Sequence, residues 1–144
     1  MNNINEKSIL LIEDNGDDAI LTMRAFEKVD IAFNLHLAKS GSEAMEMLSN
    51  YSADSSSPVN LILLDLNLPD ISGIEVLKRI KSNKNTKRIP VVILTSSRNS
   101  QDIYQCMEFG ANSYIQKPVD FVEFVEIANL MGEYWLLLNQ TDFT

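Results

Sequence analysis

Three continuous apolar runs constrain the fold of this chain more than any other feature. They cover residues 9–12 (ILLI), 61–64 (LILL) and 90–94 (PVVIL), and each is as long as a β-strand. Apolar residues at every position indicate strands that are covered on both faces, as in a parallel sheet between helices. Stretches with helical spacing separate the runs, so the sequence predicts an α/β fold with right-handed helical crossovers.

Two weaker strands and five helices complete the predicted order, in which strand and helix alternate five times. Residues 33–37 alternate between apolar and polar side chains, as in an edge strand, and residues 112–115 form a short strand. A first helix follows an N-cap at Asp17 or Asp18, and further helices are predicted at residues 42–48, 74–80, 99–109 and 120–138. Residues 50–58, with four serines, an aspartate and a proline, indicate a loop.

The chain has the size and composition of one globular domain. Of its 144 residues, 45% are hydrophobic and 22% charged, and we expect a domain over residues 8–138 with short tails at 1–7 and 139–144. The formal net charge of −8 argues against sequence-independent binding to nucleic acids. The single cysteine, Cys106, excludes an intramolecular disulfide and a cysteine-rich zinc site. No stretch has the pattern of a signal peptide or a transmembrane helix, so we expect a soluble cytoplasmic protein.

Polar side chains follow the predicted strands at the points where these strands end. Glu13 and Asp14 follow the first apolar run, Asp65 the second and Thr95 the third, while Lys117 follows the short strand. Singly, each has an ordinary interpretation as a helix cap, a turn residue or a solvated lysine. The carboxyl ends of parallel strands share one edge, however, so we expect all five in one crevice. Three carboxylates there would repel one another, and a divalent cation, for which oxygen ligands on two loops favour Mg²⁺, removes that repulsion.

Four stretches of the chain resemble the receiver domain of two-component response regulators. They are residues 9–14 (ILLIED), 61–73 (LILLDLNLPDISG), 91–96 (VVILTS) and 110–118 (GANSYIQKP), in the family's order and over nearly the whole chain. The resemblance implies a flavodoxin-like (βα)5 receiver fold, which has a five-stranded parallel sheet in the order 2-1-3-4-5 and five helices.

The resemblance also implies chemical roles for the residues of the crevice. Asp65 would be the phosphoacceptor, and Lys117 would pair with the phosphate. Glu13 and Asp14 would hold Mg²⁺ together with Asp65 and the backbone carbonyl of Asn67. A carboxylate nucleophile forms an acyl phosphate, and the cations neutralise charge as the phosphoryl group moves. Slow hydrolysis of the aspartyl phosphate would reset the protein, so we expect a signalling switch and not a metabolic enzyme.

Two further residues would carry the signal out of the crevice. Thr95 would be the switch hydroxyl, which moves toward a phosphoryl oxygen, and Tyr114 the switch aromatic, which turns into the vacated space. The face of the fourth helix, fifth strand and fifth helix would then change shape. The family resemblance also implies a cis bond between Lys117 and Pro118, although the general frequencies of X–Pro bonds favour trans.

The resemblance implies a sensor histidine kinase, carrying a phosphohistidine, as the phosphoryl donor. Residues 13–29 and 133–140 resemble stand-alone regulators associated with bacterial phytochromes and related sensor kinases, so a phytochrome-type kinase is the expected partner. We expect no output module beyond residue 144, and we therefore expect signalling through protein contacts, with neither nucleic acid nor membrane as a partner.

The end of the chain predicts a protein interface. Phe121, Phe124, Val125 and Ala128 form the core stripe of the predicted last helix, whereas apolar side chains surround that helix on every side at residues 134–138. One buried face does not need so many apolar groups, so we predict either a homodimer through the C-terminal half, from the fourth to the fifth helix, or a surface for another partner. The alternative is that this end folds under the domain.

Three other functions stay open at this point. A receiver-fold module that binds its partners independently of phosphorylation is disfavoured by the complete set of crevice residues. A flavin-binding electron carrier is disfavoured by the acidic first loop, because phosphate-binding loops are glycine-rich. An aspartate-based phosphatase is disfavoured because that family carries a D-x-D pattern after its first strand. Here the nucleophile would have to be Asp65, and Asn67 stands in place of the second acid.

Overall fold

The residues that the structure describes form five strands and five α-helices that alternate in sequence, followed by a π-helix. The computed structural model describes residues 7–49, 51 and 59–139. The strands are β1 (Lys7–Ile12), β2 (Phe33–Ala38), β3 (Leu61–Leu64), β4 (Val91–Thr95) and β5 (Ser113–Gln116). The helices are α1 (Gly16–Glu27), α2 (Gly41–Leu48), α3 (Gly73–Ser82), α4 (Ser100–Glu108), α5 (Phe121–Met131) and the C-terminal π-helix (Gly132–Leu138). Among the described helices, none is long and apolar enough to cross a membrane.

The strands form one parallel sheet in the order β2-β1-β3-β4-β5, which confirms the predicted fold class. Strand β2 lies at one edge, and its side chains alternate between half-buried and exposed until the buried Ala38. Strands β1, β3 and β4 lie inside the sheet and are almost entirely buried. The continuous apolar runs therefore mark the interior strands, as the sequence predicts.

Two apolar layers cover the sheet, one on each face. Alternate residues of β1 point into different layers, with Ile9 in one and Leu10 in the other. Helices α1 and α5 bury Phe26 and Phe124 in the first layer, while α2, α3 and α4 cover the second. The chain crosses from one face to the other between β1 and β3, which creates a crevice at the carboxyl ends of these strands.

The register of the sheet brings the ends of distant strands together. Ile12 pairs with Leu64, so the residues that follow β1 and β3 lie side by side, and the N–H of Asp65 donates to the carbonyl of Ile12 at 3.1 Å. At the same edge of the sheet, between β4 and β5, the N–H of Lys117 donates to the carbonyl of Thr95 at 2.8 Å. Main-chain hydrogen bonds thus fix the starting points of the functional side chains.

Helix α1 begins earlier than the sequence analysis predicts. The N-cap is Asn15, not Asp17 or Asp18, and its side-chain oxygen accepts a hydrogen bond from the N–H of Asp18 at 3.0 Å. An N-cap side chain accepts a hydrogen bond from an amide two or three positions into the helix, and Asp18 lies three positions after Asn15. Both aspartates therefore lie in the first turn, where acids interact favourably with the helix dipole.

The end of the chain also differs from its prediction, which places one helix over residues 120–138. The α-helix ends at Met131, and a π-helix continues to Leu138. Phe124 and Ala128 are buried as predicted and Val125 is half-buried, whereas Phe121 is 37% exposed. Phe121 is the first residue of α5 and lines a groove of about 500 Å³ beside α1, which accounts for its exposure. Within the predicted loop 50–58, only Tyr51 lies among the described residues.

Candidate functional site

Four strand ends bring the predicted site residues to one edge of the sheet. Glu13 and Asp14 directly follow β1, Asp65 follows β3, Thr95 ends β4, and Lys117 directly follows β5. Each side chain therefore starts from a rigid strand, with a loop or helix only beyond it. The sequence prediction that these residues lie at one sheet edge agrees with this arrangement.

Three of these residues form a carboxylate cluster. Glu13, Asp14 and Asp65 each offer one oxygen, and these oxygens all lie within 4.8 Å of one another. Glu13 and Asp65 are buried, whereas Asp14 is exposed and opens the cluster to solvent. Hard oxygen ligands from two loops suit a divalent cation such as Mg²⁺. Asn67 lies beside the cluster, where its N–H approaches a carboxylate oxygen of Asp65 at 3.4 Å.

Lys117 supplies the positive charge at this site. Its Nζ lies 2.7 Å from Glu13 Oε1, 2.8 Å from Asp18 Oδ2 and 3.2 Å from Asp65 Oδ2, and its side chain is only 10% exposed. Burial lowers the pKa of Lys117, but the bonds to Asp18 and Glu13 and the charge of Asp65 outweigh this effect and raise the pKa above its usual value. The ammonium therefore stays charged at neutral pH.

Asp18 belongs to this network, and the sequence analysis missed it. That analysis offers Asp17 or Asp18 as the N-cap of α1, a function that the structure gives to Asn15. The carboxylate of Asp18 instead pairs with Lys117, which lies 99 residues away in sequence. The available signal was the second acidic pair within one helical turn of Glu13 and Asp14, beyond what a cap requires.

The carboxylates of the cluster act on one another electrostatically. Burial raises the pKa of Glu13, the hydrogen bond from Lys117 opposes this rise, and the nearby charge of Asp65 adds to it, so that the pKa lies at about 7. Glu13 also accepts a hydrogen bond from the N–H of Asn15 at 3.2 Å. Additional positive charge placed among these carboxylates would favour their ionised forms and so oppose both the burial and the repulsion that raise this pKa.

Thr95 and Tyr114 both contact Ser97, in the loop between β4 and α4. Thr95 is fully buried, and the N–H of Ser97 approaches its hydroxyl oxygen at 3.5 Å. The Tyr114 hydroxyl donates to the carbonyl of Ser97 at 3.0 Å, and the Ser97 hydroxyl donates to Asp102 at 2.8 Å. Burial raises the pKa of Tyr114, so the phenol stays protonated as a donor. This loop connects the crevice to the face of α4.

The bond between Lys117 and Pro118 is trans, which corrects the cis bond implied by the family resemblance. The trans form of an X–Pro bond is favoured by about 0.5–1 kcal/mol. From this backbone, Lys117 already reaches its three carboxylate partners. The contacts of the lysine therefore do not require the cis isomer.

Comparison with known proteins agrees with this geometry. The sequence profile of the response regulator receiver domain matches residues 9–129. Response regulator Rcp1 of Synechocystis sp. is 38% identical over 131 residues, which cover 90% of this chain and 89% of Rcp1.

Two solved structures resemble the chain over almost their full length. The phosphorylated cyanobacterial phytochrome response regulator RcpA has a TM-score of 0.84 and 38% identity, covering 94% of this chain and 97% of RcpA. The Mn²⁺-bound form of response regulator Rcp1 has a TM-score of 0.83 and 36% identity, covering 95% of this chain and 99% of that one. The acidic cluster described above and the metal in this second structure fit divalent metal binding.

Proposed function

The chain belongs to the family of response regulator receiver domains, and we propose that its Asp65 accepts a phosphoryl group from a sensor histidine kinase. The observation that supports this assignment is the position of the Asp65 carboxylate, which lies beside two other carboxylates and 3.2 Å from a lysine whose side chain is only 10% exposed. Phosphoryl transfer depends mainly on positioning and on charge neutralisation, and this pocket offers both. The chain then relays the signal by a change of conformation.

The chemistry follows from the nucleophile and its neighbours. An Asp65 oxygen forms a bond to phosphorus while the bond from phosphorus to the donor's histidine nitrogen breaks, leaving an acyl phosphate on the protein. Lys117, at 3.2 Å from Asp65, pairs with the phosphoryl oxygens and neutralises their charge. Glu13, Asp14 and Asp65, with the backbone carbonyl of Asn67, would hold a Mg²⁺ ion, which would supply further positive charge to the transferred group.

The conformational signal passes through Thr95 and Tyr114. Thr95 is buried at the end of β4, next to the strand that carries Asp65, so its hydroxyl is suited to donate to a phosphoryl oxygen. The Tyr114 hydroxyl already bonds to the loop that follows Thr95. A shift of this loop on phosphorylation therefore changes the position of Tyr114 and the face of α4, β5 and α5. Slow hydrolysis of the acyl phosphate ends the signal, so the protein is a switch and not a metabolic enzyme.

The proposed donor is a sensor kinase of the phytochrome type. The solved relative RcpA is described as a phytochrome response regulator, and its likeness covers 94% of this chain. Sensor kinases take their phosphoryl group from ATP, so the reaction belongs in the cytoplasm. A comparison of early transfer rates from a phytochrome-type kinase and from an unrelated histidine kinase tests this assignment, and equal rates would contradict it.

The phosphoacceptor is tested by intact mass spectrometry after incubation with acetyl phosphate and Mg²⁺. We expect the wild type to gain one phosphoryl group, and the gain to disappear in Asp65→Asn and after chelation of the metal. Asp30→Asn is a matched control, because Asp30 is an exposed acid in the connection between α1 and β2. A phosphoryl group on Asp65→Asn, or none on a folded wild type that binds Mg²⁺, would contradict the proposal. The second result would favour the phosphorylation-independent interaction module.

A further inference from the structure

Lys117 has more carboxylate partners than phosphate binding requires. An ammonium group has three N–H donors, and here they face Glu13, Asp18 and Asp65. Two of these partners are buried in the carboxylate cluster, whereas the Asp18 side chain is 41% exposed at the first turn of α1. Asp18 is therefore the partner of Lys117 that lies outside the cluster.

Lys117 and a metal ion compete for the same ligands. The ammonium is bonded to oxygens of Glu13 and Asp65, and these residues are two of the three members of the cluster. A divalent cation bound to the same carboxylates shares their negative charge and repels the ammonium, so it weakens these two contacts. A largely buried ammonium without an anionic partner is costly in free energy. The metal affinity therefore depends on the contacts that Lys117 keeps after the ion binds.

We propose that Asp18 is a positioning residue that holds the Lys117 ammonium when a divalent cation takes Glu13 and Asp65. By keeping one strong ion pair, Asp18 lowers the cost of releasing the lysine from the cluster, and it thereby strengthens metal binding. The inference rests on the proposed function because it concerns the same site. It addresses binding of the metal ion and not the transfer of phosphate.

The neighbouring Asp17 provides a matched control. Asp17 and Asp18 carry the same charge and lie in the same turn of α1, where both interact with the helix dipole. Among the described residues, Lys117 bonds to Asp18 but not to Asp17. A difference between the two variants therefore reports the contact with Lys117, whereas an equal effect reports only the field of a negative charge.

Mn²⁺ binding tests the proposal, with the free ion measured by electron paramagnetic resonance. We expect Asp18→Asn to raise the dissociation constant about two- to fivefold more than Asp17→Asn does, the range for a partly exposed ion pair. In a Lys117→Met background, the two variants should have equal effects, because no ammonium remains for Asp18 to hold. Urea unfolding checks that each variant is folded. If Lys117→Met does not fold, the comparison of the single variants decides alone.

Two results would overturn the proposal. One is an equal or smaller loss of affinity in Asp18→Asn than in Asp17→Asn. The other is an excess loss that persists without Lys117, since Asp18 would then act directly. Phosphate uptake from acetyl phosphate, measured on the same samples, separates this inference from the proposed function. A wild type that binds Mn²⁺ but takes no phosphoryl group contradicts the function alone, whereas a wild type without Mn²⁺ affinity overturns the inference.

Discussion

Gly73 lies directly behind the loop that carries the proposed phosphoacceptor. Its N–H donates to the carbonyl of Leu66 at 3.0 Å, and α3 begins there. A Cβ at this position would lie 2.4 Å from the carbonyl oxygen of Asp65 and 2.5 Å from the Cα of Leu66. Both atoms belong to the backbone, so they cannot move aside as the end of a flexible side chain can.

We therefore expect Gly73→Ala to lower the free energy of unfolding by about 2 kcal/mol or more, as overpacking does. It should also slow phosphate uptake, because the displaced backbone is that of Asp65. Urea unfolding and acetyl phosphate labelling measure the two effects. Gly16→Ala is the control, since its Cβ would meet nothing within 4 Å, and we expect a change within about 1 kcal/mol. Equal stabilities of the two variants would contradict the prediction.

The network around Lys117 marks how far single residues could be predicted. Glu13, Asp65 and Lys117 could be placed together because each follows a predicted strand and parallel strands end at one edge. The contact between Asp18 and Lys117 could not be predicted in this way, since Asp18 lies on a helix and the direction of its side chain depends on where that helix begins. The wrong N-cap therefore concealed the third partner of the lysine.

At the scale of elements, strands were easier to predict than the ends of helices. A continuous apolar run requires cover on both faces, so it specifies an interior strand wherever it occurs. The spacing of apolar residues over 120–138 specifies a helical stretch, but it does not distinguish α from π hydrogen bonding. The π-helix begins at Gly132, where a Cβ would lie 2.9 Å from Cγ1 of Val29. This close approach depends on tertiary packing, which the local pattern does not contain.

One carboxylate links two elements beside the site. Asp70, in the loop between β3 and α3, accepts hydrogen bonds from the N–H groups of Gly41 at 3.1 Å and Ser42 at 3.2 Å, which begin α2. Hydrogen bonds from Ser42 and Ile71 lower the pKa of Asp70 from its usual 3.8. A lowered pKa means that the folded state favours the ionised form, so this contribution to stability is present above pH 3.8 and lost as pH falls through the folded pKa.

Asp70→Asn should therefore be less stable than the wild type at neutral pH, and the difference should shrink as the pH falls below the usual pKa. Urea midpoints of the two proteins, measured from neutral pH down to about pH 3, test this expectation. Asp30→Asn serves as a control for the loss of one exposed charge elsewhere. A difference between Asp70→Asn and wild type that stays constant with pH, or that grows in acid, would show that the charge of Asp70 does not stabilise α2.

At the scale of the whole molecule, apolar groups remain exposed in the C-terminal half of the chain, on α4, α5 and the π-helix. Within the π-helix, Leu136 is buried, but Leu137 and Leu138 are 61% and 68% exposed. Leu130 and Tyr134 are exposed on the preceding turns, and Tyr104 and Met107 are exposed on α4. The sequence analysis offered an interface or an end that folds under the domain. The π-helix has features of both, since one side packs against the domain while the other is exposed to solvent. Apolar surface left open in this way favours association.

We propose that a second copy of the chain covers this surface, in a homodimer through the C-terminal half. Leu137→Ser should raise the dimer dissociation constant by about tenfold or more, because burial of one leucine is worth at least roughly 1.4 kcal/mol. Sedimentation over a range of concentrations, with and without acetyl phosphate, measures this constant. Met47→Ser is the control, since Met47 is also exposed but lies on α2. A wild type that stays monomeric in both conditions would contradict the dimer, and the open side of the π-helix would then be available to a different partner. Equal effects of the two variants would contradict the placement of the dimer interface at the π-helix.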